Sequence, residues 1–121
     1  DSAASDDLGV NSADYTLATN SITCNFTGVI KITFNAELSG ASTRGCVGFR
    51  YNSSGSAGTG PWCRHTYIRN TSGHLETSAN FSSLISVTSG DVIQIQHQQF
   101  AGGGTITSPA QGVEFMIERI A

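Results

Sequence analysis

Three cysteines and three histidines are the residues of this chain best equipped for chemistry, and their spacing withholds it. Cys24, Cys46 and Cys63 fit no zinc ribbon, finger or CxxC redox pair. His65, His74 and His97 fit neither an HxxH nor an HExxH pattern, and no serine sits in a GxSxG elbow. The run Cys63-Arg64-His65 sets a thiol beside an imidazole. Neighbours on a strand point to opposite faces, however, so the two groups diverge. No catalytic residue, metal-ligand set or cofactor is therefore expected, and the chain reads as a non-enzyme. An odd number of cysteines leaves one thiol over from any disulfide. Buried free thiols in a protein made in a reducing cytoplasm are the first reading, and a Cys46 to Cys63 bridge is the alternative.

Binding chemistry has better candidates. Trp62, the only tryptophan, follows Pro61 and precedes Arg64, His65 and Tyr67. It reads either as a core residue capping one end of the fold or as an aromatic platform at a loop tip, where Trp, Tyr and Arg carry most binding energy. Strand parity puts Trp62 with Arg64 on one face and Cys63, His65 and Tyr67 on the other. The loops from Asn52 to Trp62 and from Ala101 to Gln111 are the candidate contact regions, with Tyr51, Asn52, Trp62, Arg64 and Thr105 as contact residues. In IQIQHQQ, His97 shares a side with Ile93 and Ile95, opposite a neutral row of Gln94, Gln96 and Gln98. It reads as a residue at the edge of a core or interface, or as one of three symmetry copies meeting around a metal or anion. Asn25, Asn52, Asn70 and Asn80 head glycosylation sequons, which chance explains as well in a chain this rich in Asn, Ser and Thr.

Those residues must be held by strands. At 121 residues the chain is one domain with one core. Charged residues make up 12% of it, about half the usual share of roughly 25%. The net charge of -3 and six scattered basic residues exclude nucleic acid as a partner. No apolar run is long enough to insert in a membrane. Four of the nine acids fall in residues 1–14, so these are expected to be a flexible leader from an upstream stalk, with 15–121 as the folded knob.

Period-two alternation recurs and a 3.6 period does not. Strands are expected at Tyr15 to Thr19, Ile22 to Phe26, Ile30 to Leu38, Cys46 to Tyr51, Trp62 to Arg69, Glu76 to Val87, Val92 to Phe100 and Gly112 to Ile120. Short strands at this spacing, with no room for crossover helices, predict an all-β antiparallel sandwich. The closing strand GVEFMIERI is apolar on both faces: Val113, Phe115 and Ile117 on one, Met116 and Ile120 on the other. A second apolar face implies a partner subunit.

Three segments together resemble the trimeric jelly roll shared by complement globular heads and tumour necrosis factor: Gly28 to Phe34, Val87 to Ile95, and Gly112 to Ile120. That family has a G-x-aromatic-x-aromatic strand, an L-x-x-G-D-x-V-x-V hairpin and a terminal aromatic-rich strand in this order. Val87, Gly90, Asp91 and Ile93 match the hairpin, while Ile30 and Ile32 replace aromatics and Glu114 replaces a glycine. The resemblance implies a two-sheet jelly roll assembling as a homotrimer, with Ile93, His97, Phe115, Met116 and Ile120 expected at the interface. Low charge and the acidic leader are similar to a viral appendage, in particular the C-terminal knob of a tectivirus-type bacteriophage vertex spike. On that likeness the knob attaches a virion to a host-cell surface receptor or glycan and joins other virion proteins. The alternative is a secreted, extracellular ligand or lectin module of complement or cytokine type.

Overall fold

A computed structural model describes residues 11–19, 21–40, 43–52, 62–102, 105–108 and 112–121. Within strands, the side chains of 43, 50–52 and 62–64 lie outside that description. The described residues form nine strands: β1 (Tyr15–Ala18), β2 (Ser21–Cys24), β3 (Gly28–Gly40), β4 (Thr43–Asn52), β5 (Trp62–Asn70), β6 (Glu76–Val87), β7 (Val92–Gly102), β8 (Ile106–Thr107) and β9 (Val113–Arg119). They contain no helix. One sheet has the order β1-β2-β7-β4-β5; in the other, β3 is flanked by β6 on one side and by β8 and β9 on the other. All pairings are antiparallel.

The core lies between the sheets and follows the alternation. Ile30, Ile32, Phe34, Ala36 and Leu38 of β3 are buried, and Lys31, Thr33, Asn35 and Glu37 point outward. From the opposing sheet come Cys24, Val47, Phe49, Ile68 and Ile93. Register sets Phe81, Phe34 and Phe115 in one row across β6, β3 and β9. The Phe34 and Phe81 rings stack at 5.1 Å, and Phe49 tilts onto Phe81 at 5.4 Å from the other sheet. These rings join the two halves of the core.

The hairpin between β6 and β7 shows why Gly-Asp belongs there. Gly90 has φ 96°, a conformation that a side chain would strain. The Asp91 carboxylate is buried and accepts the Thr88 N–H at 2.6 Å. Its carbonyl accepts from Cys24 N–H at 2.9 Å, while Gly90 N–H donates to Cys24 O at 2.8 Å. The turn is thereby tied to β2.

Two expectations change. The segment from Ala101 to Gln111, expected as loop, contains β8, whose two residues pair with Ser39 and Gly40. No alternation is legible in so short a strand. The Cys46 to Cys63 bridge is excluded by register: Cys46 is buried opposite Tyr67, whereas Cys63 lies opposite the Phe49/Arg50 bulge. Three residues along a strand span about 10 Å, beyond the roughly 7 Å that a disulfide tolerates between Cα atoms.

Candidate assembly and binding surfaces

The outer face of the β6-β3-β9 sheet is built in three rows. Leu84, Lys31 and Glu118 form one, Ser82, Thr33 and Met116 the next, and Asn80, Asn35 and Glu114 the third. Its charges are largely satisfied within it. Lys31 pairs with Glu118 at 3.7 Å, and Asn35 donates to Glu114 at 2.9 Å. Thr33 and Ser82 hydroxyls meet at 3.5 Å. Among these partnered neighbours stands Leu84, 61% exposed, diagonal to the half-buried Met116. The second apolar face of the closing strand is thus one methionine between a carboxylate paired with Lys31 and another hydrogen-bonded by Asn35, with Ile120 exposed beyond the strand end. Leu84 was not among the expected interface residues, although its position opposite Lys31 makes it an apolar residue on a polar face.

The expected interface residues scatter. Ile93 is 1% exposed and belongs to the protomer's own core, so it has no surface to offer a partner. Phe115 is half-buried and packs on both core clusters. His97 lies opposite Val47, toward the interior side of its sheet but exposed near the strand end, and partial burial lowers its pKa below the usual histidine value. Only Met116 and Ile120 lie on or beside the outer face. Gln94 is buried on the outer side of its sheet and accepts from Gln96 Nε2 at 3.0 Å.

The expected contact residues divide between opposite ends of the sandwich. Trp62 pairs with Arg50, Arg64 with Phe49, Tyr51 with Ile93 and Asn52 with Val92, which groups these four at one end. Their side chains and the segment 53–61 lie outside the described residues. Thr105 precedes β8, which pairs at the far end of β3, and β7 likewise reaches that end, where Gly102 faces Thr43. The separation along β4 is about 30 Å at 3.3 Å per residue. One protomer therefore cannot present Thr105 and Trp62 to the same small ligand.

The end bearing Thr105 holds a cavity that the sequence does not reveal. It measures about 320 Å³ and is lined by Arg44, Arg69, Asn70, Thr71, Ser72, Ala101 and Gly102. Among the described residues no three His, Cys, Asp or Glu side chains cluster as metal ligands. Of the sequon asparagines, Asn70 is 2% exposed and its amide donates to Leu75 O at 3.0 Å, so it offers no glycan acceptor. Asn25 and Asn80 are exposed.

At the opposite corner the N-terminal turn meets the closing strand. Arg119 donates to Asp14 at 2.8 Å and stacks over Phe26 with its guanidinium 4.3 Å from the ring centroid. Tyr15 packs edge-on against Phe26 at 5.7 Å, and its buried hydroxyl has no hydrogen-bond partner among the described residues. Burial, then the neighbouring Cys24, push the Tyr15 pKa up to about 12. Burial, then Asp91, push the Cys24 thiol up to about 11.

No family model matches this chain, and no curated protein sequence matches it. Its shape does have relatives among solved structures. Eiger TNF from S. frugiperda superposes with a TM-score of 0.70 at 12% identity, over 88% of this chain and 69% of that one. Murine APRIL, crystallised at pH 5.0, gives 0.67 at 10% identity, over 86% and 75%. The globular domain of zebrafish complement 1qA protein gives 0.50 at 18% identity, over 86% and 68%. Likeness at such identities is one of fold, and the fold is the antiparallel two-sheet jelly roll of tumour necrosis factor and complement heads.

Proposed function

We propose that this chain is a homotrimeric, non-enzymatic attachment knob at the tip of a bacteriophage spike or fibre, displayed on the virion surface. Residues 15–121 form the knob, and 1–14 lead from an upstream stalk; Asn11 to Asp14 pack as a turn against it through Asn25 and Arg119. The observation that carries assembly is the outer face of the β6-β3-β9 sheet. An exposed leucine and a half-buried methionine sit there beside the Lys31–Glu118 ion pair and the Asn35–Glu114 hydrogen bond, a surface that a copy of the same chain can cover with these polar groups already partnered. Among the described residues β9 is bonded along one edge only, which leaves the other open to a neighbour. Three equivalent knobs would convert weak contacts with a host receptor or glycan into avidity.

A buried free thiol, Cys24, supports folding in a reducing cytoplasm, as the spike reading requires. A secreted ligand or lectin module is the second reading, favoured by the shape shared with Eiger TNF, APRIL and the complement 1qA domain. Sedimentation equilibrium at micromolar concentration tests the trimer: a mass of three chains is expected, and a stable monomer overturns it. Intact-mass analysis of protein from its native source separates the compartments. Glycan on Asn25 or Asn80 would sink the phage reading.

A further inference from the structure

The described cations are of two kinds. Lys31 pairs with Glu118 and Arg119 with Asp14. Arg44 and Arg69 stand directly opposite each other on β4 and β5, both exposed, and neither makes an ion pair among the described residues. Like charges facing across a ladder destabilise it. In a chain with six basic residues, such a pair suits an occupant of opposite sign.

The surroundings are built to receive one. Ala101 faces Arg44 from β7, and this small side chain leaves room beside the guanidinium. The cavity of about 320 Å³ opens there, with Thr71 and Ser72 on its wall. That wall is held in place: Thr71 and His74 exchange backbone hydrogen bonds at 3.0 and 2.8 Å, and Asn70 anchors Leu75 O at 3.0 Å. Tyr67 lies two residues before Arg69, hence on the same face about 7 Å away, and is 54% exposed.

We infer that this pocket binds an acidic sugar, its carboxylate or sulfate held by Arg44 and Arg69 and its ring laid against Tyr67. Guanidinium groups grip such oxyanions through paired N–H donors. The phenol offers a flat apolar face to sugar C–H groups, and the Thr71 and Ser72 hydroxyls complement ring hydroxyls. Two cations on a chain of net charge -3 suffice for one oxyanion and fall short of a polyphosphate track. The biological setting rests on the attachment reading, and the site deepens it by naming the chemistry recognised.

The test is titration of the full chain, followed by NMR amide shifts and calorimetry, with 3′-sialyllactose, a heparin-derived tetrasaccharide, lactose and inorganic sulfate. Saturable binding of one or both acidic sugars is expected, with shifts at Arg44, Arg69, Thr71 and Ser72. Arg44→Gln or Arg69→Gln should weaken it about tenfold or more, and Tyr67→Ala should weaken the saccharides but not sulfate. No saturable binding, equal binding by lactose, sulfate as tight as the saccharides, or unchanged affinity in both arginine variants would each overturn the inference. Sedimentation of the same variants keeps the two readings apart: trimers that fail to bind count against this site alone, and monomers that bind count against the assembly.

Discussion

Tyr15 carries a hydroxyl into the core edge and gives it nothing to bond. An unmade hydrogen bond on a buried group costs about 1–3 kcal/mol, so Tyr15→Phe should leave stability unchanged or raise it by about 1 kcal/mol in urea denaturation. Asp91 is the opposite case, because its carboxylate satisfies Thr88 N–H inside the hairpin. Asp91→Ala should cost about 1–3 kcal/mol by the same measurement. The second effect was legible in the sequence, since Gly-Asp after Thr-Ser is turn chemistry. The first was not, because the orphaned hydroxyl depends on Cys24 of β2 and Phe26 of the bend after it closing over Tyr15.

β3 and β6 lie where alternation of apolar residues places them, because one buried face imposes a period of two, whereas β4 is buried continuously from 45 to 49. What alternation cannot give is register between strands distant in sequence. Arg44 meets Arg69 only because β4 and β5 pair with a shift at Phe49/Arg50, and no local pattern announces that shift. For the same reason the two contact regions could not be assigned to opposite ends beforehand. Ile93 was legible as apolar, but core and interface look alike until the opposing sheet is known. Element ends also depend on close approach. A Cβ on Gly28 would lie 2.0 Å from Ala121 O, where Val29 N–H now donates to that carbonyl. Gly28→Ala should therefore displace the last residues, speed amide exchange at Val29 and Ile120, and cost about 1–3 kcal/mol.

At the scale of the molecule, the raised pKa values of Cys24 and Tyr15 set an alkaline limit. Both groups hold their protons in the folded state, to about 11 and about 12, beyond the ordinary values of 9.0 and 10.0. The unfolded chain releases them first, so stability is complete below about pH 9 and falls as pH rises toward 11 and 12. Urea midpoints at pH 7, 9 and 10.5 should show a plateau followed by a decline. The proposed assembly has its own handle in the exposed Leu84 and the half-buried Met116. Leu84→Glu or Met116→Glu puts an unpaired carboxylate on the outer face, and should weaken association by about 2 kcal/mol or more per site without unfolding the protomer. Sedimentation with circular dichroism checks both halves of that statement.

The ion pair between Asp14 and Arg119 also bears on how the two sheets are tied at one corner. Among the described residues β1 is an edge strand of four residues paired to β2 alone, a short ladder that would be the first to open. Arg119 links the turn that precedes it to the closing strand of the other sheet, while its guanidinium rests on Phe26. A force applied at Asp14 would thereby be shared between both sheets at their common corner. One side chain makes a weak edge into a mechanical anchor.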